Sequence, residues 1–280
     1  MGPLWRAASF AALLYAGWML LGGLFQPRID WFAGARLDPR PLLYYGCLDG
    51  FTLALSAAFL CGLEGHRLHS LGLGLDPGWL RQAGAGMGWG SAVITGTFLL
   101  LVASGAAVFS SSLLALTHAL PLIGFLFLAA IFEELAFRGY VLQRAAQVLG
   151  PVIAGSLSSL LFGFAHSGNP QASLLSILNT VLAGGLLAIA RVRSRALWMP
   201  IGLHFGWNFF LGPVFSFPVS GYTFGRAGLS PPTPGPMWLS GGAYGPEGGA
   251  ALTAILVLAL PLALRLPLPV ASLGTDSGVD

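Results

Sequence analysis

Eight apolar runs, each long enough to cross a bilayer as a helix, dominate this sequence and limit what it can fold into. A membrane-spanning helix needs roughly 17 to 25 mostly apolar residues. Only 8% of the residues are charged, whereas a soluble domain carries roughly 25%. The sequence therefore predicts an all-α fold, a polytopic transmembrane helix bundle of about eight helices in a lipid bilayer. The predicted helices lie near residues 6–25, 41–62, 86–108, 119–148, 151–168, 170–191, 195–215 and 248–268.

The helices are expected to form one membrane domain over residues 1–280, because neither a fixed repeat nor a second, soluble domain is evident. Segment 216–247, rich in Gly, Pro and Ser, predicts an extramembrane loop. Arginines, among them Arg6 and Arg144, are roughly twice as frequent on the side that would hold both termini, so both termini are predicted to be cytoplasmic. We expect no nucleic-acid partner, because no basic run with interleaved aromatics lies outside the apolar runs.

Three charged residues interrupt the apolar stretch "LAAIFEELAFRGYVLQ". A charge at the bilayer centre costs about 2.5–3.5 kcal/mol on insertion scales, so such residues are functional candidates. Glu134 and Arg138 are four residues apart, on one helix face, and can form a structural ion pair. Glu133 has no local partner, which suggests a chemical role. The alternative is that Glu133, Glu134 and Arg138 form one buried structural network.

Polar side chains of two further runs are predicted to reach the depth of Glu133. If "LGP" (149–151) turns the chain into an antiparallel hairpin, Glu133 and His166 both lie roughly 24 Å from the turn. A turn at "RVRSR" would place His204 and Asn208 roughly 15 and 21 Å deep. We therefore predict one site inside the membrane, although a membrane His is often only a hydrogen-bonded packing residue.

These side chains suit the hydrolysis of an amide bond. A carboxylate and an imidazole, Glu133 and His166, can hold and deprotonate a water, and His204 with Asn208 can donate hydrogen bonds to an oxyanion. The absence of HExxH excludes an ordinary zincin, and we expect no cofactor. A divalent metal such as zinc at Glu133, His166 and His204 stays an alternative. For Asp49, which lacks a partner in the sequence, we expect a structural or hydration role.

Three motifs resemble those of the CPBP family, the CAAX-processing and bacteriocin-processing (Abi) intramembrane proteases. "EELAFRG" is similar to its EExxxR motif, "FGFAH" to FxxxH and "HFGWN" to HxxxN. The resemblance covers about residues 85–215, the expected catalytic core. It implies a glutamate-dependent intramembrane endopeptidase. The implied catalytic residues are Glu133 and His166 for water activation and His204 and Asn208 for the oxyanion, and the supporting residues are Glu134, Arg138 and Phe162.

The expected substrate is a peptide or a membrane protein, and the expected location is a bacterial plasma membrane. Two other classes of function stay open. A proton-coupled transporter also relays protons along Glu and His chains, but it would use inverted repeats and broken helices, and the sequence shows neither. A non-catalytic membrane immunity or scaffold protein could carry the same fold.

Overall fold

The computed structural model describes residues 2–25, 39–108, 116–223, 235–265 and 267–270. This part of the chain contains helices and no strands, apart from one isolated bridge between Val219 and Tyr222. Short π-helical turns extend α2 and α7. The helices are α1 (Pro3–Phe25), α2 (Arg40–Ala57), α3 (Trp79–Ala103), α4 (Leu116–Arg138), α5 (Tyr140–Ala165), α6 (Leu174–Ser194), α7 (Trp198–Phe209), the single turn α8 (Met237–Ser240) and α9 (Ala250–Arg265).

Within the described residues, five stretches of helix are long and apolar enough, by length and composition, to cross a membrane. The shorter helix α9 is apolar as well. The predicted all-α, polytopic bundle is thus confirmed, and the chain is an integral membrane protein. The five stretches are Pro3–Phe25, Arg40–Leu63, Trp79–Ala103, Leu120–Gly168 and Leu174–Ser194.

The apolar run at 119–148 is not the single helix that its composition predicts. Helix α4 ends at Arg138, and α5 begins just beyond Gly139, whose φ of −77° and ψ of −122° are not helical. A Cβ atom at Gly139 would lie 2.3 Å from the carbonyl oxygen of Leu135. The Nε of Arg191 donates to the carbonyl of Arg138 at 3.1 Å. That bond gives the broken end of α4 a partner where lipid could offer none.

A second break divides α5 at Gly150, as the "LGP" turn predicts. Gly150 has a φ of 77°, which other residues rarely adopt, and Pro151 follows it. Beyond this break, α5 runs antiparallel to α4, because later residues of α5 contact earlier residues of α4. The predicted hairpin is confirmed. The contacting pairs are Phe137 with Ser158, Arg138 with Phe162, and Glu133 with His166.

Helices α3 and α7 pack backbone against backbone through glycines spaced four residues apart. A Cβ atom at Gly86 or Gly90 of α3 would lie 2.0 Å from a carbonyl oxygen of α7. On the other side of the contact, a Cβ atom at Gly202 or Gly206 of α7 would lie 2.1 or 2.4 Å from a carbonyl oxygen of α3. Small residues at this spacing allow membrane helices to approach closely. This contact fixes α7, the helix that carries the HxxxN motif.

Glu64, just beyond α2, joins three helices at one end of the bundle. Its carboxylate lies 3.2 Å from Arg6 of α1 and 2.7 Å from Arg144 of α5, and it accepts the hydroxyl of Tyr140 at 2.6 Å. Burial alone would raise the pKa of Glu64, but the hydrogen bonds from Tyr140 and Arg6 and the charges of both arginines hold this pKa below its ordinary value. Arg6 and Arg144 thus lie at the same end, as predicted.

Candidate active site

Three separate segments bring Glu133, His166 and His204 together. Oε2 of Glu133, on α4, lies 3.8 Å from Nε2 of His166 and 3.7 Å from Nε2 of His204. His166 caps the C-terminal end of α5, and His204 lies on α7. Among the described residues, Oε2 of Glu133 is buried and has no hydrogen-bond partner. Helix lengths predicted this proximity, although the depth estimated for Glu133 assumed a helix that continues across Gly139, where the structure has a break.

The other ring nitrogen of each histidine is already occupied. Nδ1 of His166 lies 2.8 Å from the carbonyl oxygen of Phe162, and Nδ1 of His204 lies 3.0 Å from Oε1 of Glu134. Because a carbonyl oxygen only accepts, Nδ1 of His166 must carry a proton. The same holds for His204 if Glu134 is ionised. Both imidazoles therefore direct Nε2 at Glu133, and in the neutral rings these atoms are proton acceptors.

Glu134 has two partners rather than the one predicted. The expected ion pair with Arg138 is present, at 3.0 Å between side chains that are both 0% exposed. The sequence predicts a purely structural role for Glu134, but the same Oε1 atom contacts His204. This contact depends on the packing of α7 against α4, which residue spacing does not reveal. Glu134 thus connects the ion pair to the histidine ring.

Phe162 lies between the charged and the imidazole side chains. Its ring centroid is 4.6 Å from that of His166 and 5.9 Å from that of His204. The guanidinium carbon of Arg138 lies 4.2 Å from the same ring, within the range of a cation–π contact. Nη2 of Arg138 also donates to the carbonyl of Gly184 at 3.2 Å. Phe162 therefore fixes three polar side chains by contact.

The two histidines also border a small cavity. It has about 30 Å³ of room for water molecules, enough for roughly one or two of them. Asn208 lies in its wall beside the histidines, as the motif resemblance implies. The remaining wall combines polar side chains with a larger apolar area, and Glu133 is not among the lining residues. The lining residues are Phe162, His166, Asn179, Thr180, Ala183, Leu187, Leu203, His204, Trp207, Asn208, Ser220, Glu247 and Leu252.

Glu247 and Ser220 of this wall belong to segment 216–247, for which the sequence predicts only an extramembrane loop. Residues 224–234 of that segment lie outside the described residues. Burial raises the pKa of Glu247, against hydrogen bonds from Ser220 and Trp207 that lower it. The pKa of Tyr222 is raised by burial and by the charge of Glu133. One signal could have identified Glu247: it is an acidic residue directly before an apolar run.

Asp49 of α2 is buried, and neither of its carboxylate oxygens has a hydrogen-bond partner among the described residues. The structure does not bring it into contact with the histidines. Its structural or hydration role stays a prediction.

Glu133, His166 and His204 are of the residue types that bind zinc. Within the described residues, no group of three or more His, Cys, Asp or Glu side chains is arranged to hold a metal ion. The zinc alternative at Glu133, His166 and His204 stays open, and the reaction proposed below uses no metal.

Comparison with known proteins gives one match. The family described as "Type II CAAX prenyl endopeptidase Rce1-like" matches residues 115–210, about a third of the chain, and this region contains all three motifs. The match confirms the resemblance to CAAX proteases and supports an endopeptidase. Neither the curated proteins nor the solved structures gave a match.

Proposed function

We propose that this protein is an intramembrane endopeptidase in which Glu133 and His166 activate a water for attack on a peptide bond. One observation carries the proposal: imidazole nitrogens from two other segments both lie within 3.8 Å of one carboxylate oxygen of Glu133. Oε2 of Glu133 and Nε2 of His166 are acceptors in their basic forms, so a water between them would find one acceptor for each of its hydrogens. The match to an endopeptidase family supports the choice of reaction.

In the proposed reaction the water is the nucleophile. Glu133 takes its proton while the water oxygen bonds to the substrate carbonyl carbon, and the carbonyl oxygen becomes an oxyanion. His204 and the amide of Asn208 donate hydrogen bonds to this oxyanion. When the C–N bond breaks, Glu133 returns the proton to the leaving nitrogen. Nδ1 of His166 keeps its hydrogen bond to the carbonyl oxygen of Phe162, and this bond directs Nε2 towards the water.

His204 needs a second proton for this role. Its Nδ1–H points at Glu134, so donation from Nε2 requires the imidazolium form. When Glu133 and Glu134 are both ionised, their two negative charges balance Arg138 and the imidazolium of His204. Of the charged side chains in the EExxxR motif, Glu133 thus takes part in the reaction. Glu134, held by Arg138, orients His204 and stabilises its imidazolium form.

A direct test uses protein reconstituted in lipid vesicles. We expect cleavage of peptides ending in Cys–aliphatic–aliphatic–X, with products identified by mass spectrometry. Prenylated and unprenylated versions would show whether the lipid is recognised, and a library of bacteriocin-like and pheromone-like peptides would extend the search. Cleavage by wild type and equally by Glu133→Gln would contradict the mechanism. The bacterial plasma membrane and cytoplasmic termini are part of the proposal.

One observation favours a second candidate, a proton-coupled transporter. The apolar run at 119–148 is broken at Gly139, where the sequence predicts a continuous helix, and transporters use broken helices. A transporter would move protons across the vesicle membrane along with a solute. Proton flux through vesicles that cleave no peptide would favour this alternative.

A further inference from the structure

Glu247 is a buried acidic residue that none of the three motifs contains. It is 8% exposed, and no ion pair is found for it in the described part of the chain. An unpaired buried carboxylate is costly, and an apolar residue of similar size would usually give a more stable protein. Stability alone therefore does not account for a carboxylate in the wall of the histidine cavity.

The backbone around Glu247 is held firmly by α6. Nδ2 of Asn179 donates to the carbonyl oxygens of Glu247 and Gly249, at 2.9 and 3.0 Å. The hydroxyl of Thr253, in the first turn of α9, donates to Oδ1 of Asn179 at 2.7 Å. These bonds leave the carboxylate of Glu247 little freedom to move away from the cavity.

One carboxylate oxygen of Glu247 fixes a tight turn, defined here as the cavity turn (Val219–Tyr222). Oε2 accepts the backbone N–H of Ser220. Ser220 and Gly221 both have positive φ, 50° and 85°, and Val219 and Tyr222 exchange backbone hydrogen bonds of 3.0 and 2.9 Å. A Cβ atom at Gly221 would lie 2.1 Å from a backbone oxygen, so a residue larger than glycine would not fit at this position of the turn.

The other oxygen of Glu247 reaches α7. Oε1 accepts the indole N–H of Trp207 at 2.9 Å. Trp207 is 5% exposed and lies between His204 and Asn208 in the HxxxN motif. A single carboxylate therefore joins the cavity turn to the helix that supplies both oxyanion donors.

We propose that Glu247 is a positioning residue, which clamps the cavity turn onto Trp207 and so fixes the face of α7 that carries His204 and Asn208. This inference rests on the proposed function, because the groups it positions are the oxyanion donors of that reaction. The cavity turn also contains Tyr222, and the charge of Glu133 contributes to raising the pKa of its phenol.

The test compares Glu247→Gln and Trp207→Phe with Trp238→Phe, in protein reconstituted in lipid. In Glu247→Gln the side-chain carbonyl can still accept from Trp207, but the new NH₂ group then faces the N–H of Ser220, so the clamp opens. Trp238 is 66% exposed in the same segment, which makes Trp238→Phe the matched control. The exchange rates of backbone amides in residues 217–223 and 202–209 report whether these hydrogen bonds hold the turn, and this measurement does not require activity.

We expect exchange in 217–223 to become about tenfold faster or more in Glu247→Gln, the scale of one hydrogen bond to a charged group, with a smaller rise in 202–209. The kcat of the folded fraction should fall about tenfold or more, with little change in KM, because misplacement of positioned groups lowers the rate of the chemical step. Trp207→Phe should lower kcat too. The double variant should lose less than the product of the two single losses.

Unchanged exchange in Glu247→Gln would overturn the clamp. Faster exchange with the wild-type kcat would overturn its positioning role, since a purely structural residue would give that result. If Glu247→Gln does not fold, Trp207→Phe takes its place, and a wild-type kcat in Trp207→Phe would also overturn the positioning role. If wild type cleaves no peptide, the proposed function fails and the positioning role fails with it, whereas the exchange measurement still decides whether the clamp exists.

Discussion

His204 contacts Glu134 across 3.0 Å, from Nδ1 to Oε1, and this contact joins the HxxxN helix to the EExxxR helix. Because the same oxygen also accepts from Arg138, a buried ion pair and a candidate catalytic ring share one carboxylate. Stability and activity are therefore coupled at Glu134.

Glu134→Ala and Arg138→Ala should each lower the free energy of unfolding by about 3–5 kcal/mol, because each leaves the other charge buried without its partner. Unfolding in mixed micelles measures this loss. The double variant should be more stable than the two single losses added together predict. Simple additivity would show that the two side chains are not energetically paired.

Glu134→Gln should also reduce the turnover of the folded protein, because a neutral amide balances the imidazolium of His204 less well. We expect a loss of about tenfold or more in kcat, within the scale of one oxyanion donor. Steady-state kinetics on the folded fraction would measure it. Wild-type kcat in that fraction would contradict the role given to Glu134.

The glycine contact between α3 and α7 should be essential for the position of the HxxxN motif. Gly90→Ala would place a methyl group 2.0 Å from a carbonyl oxygen of α7, and overpacking of this kind costs about 1–3 kcal/mol. Gly88→Ala, on the same helix with nothing within 4 Å, is the matched control. Thermal unfolding should show a lower Tm for Gly90→Ala only. Equal effects at both positions would contradict the close approach.

The Glu64 cluster predicts a dependence of stability on pH. The folded pKa of Glu64 lies below its ordinary value, so the stability it contributes is present above the unfolded pKa, roughly 4.3, and is lost as the pH falls through the folded pKa. Unfolding measured across the acid range should show this loss, and Glu64→Gln should reduce the slope. A variant with the same slope as wild type would exclude Glu64 as its source.

Activity should survive thorough chelation, because the proposed mechanism uses no metal. The measurement is the cleavage rate before and after dialysis against a strong chelator. Activity that is lost on chelation and restored by stoichiometric zinc would overturn the metal-free mechanism.

The sequence was sufficient to predict the membrane bundle. It also predicted the meeting of Glu133, His166 and His204, although the depth estimated for Glu133 assumed a continuous helix across Gly139. It could not predict that Glu134 contacts His204, since the face that α7 presents depends on its glycine contact with α3. The break at Gly139 was also missed, because one Gly in an apolar run is compatible with a continuous helix.

Glu247 was missed for a different reason. Its contacts with Trp207 and Ser220 join positions 40 and 27 residues away along the chain, and neither helical periodicity nor a local motif reports contacts over such separations. The glycines around it gave the segment the composition of a loop, although its described part packs against the site.

The most direct test of the account is the turnover of purified Glu133→Gln in lipid vesicles, with Asp76→Asn as the carboxyl-to-amide control at an exposed position. The amide cannot accept the proton of the attacking water, so we predict a loss of kcat of about 10² or more, with the wild-type Tm retained. Asp76→Asn should cleave like wild type. Wild-type turnover by Glu133→Gln would contradict the central claim that Glu133 activates the water.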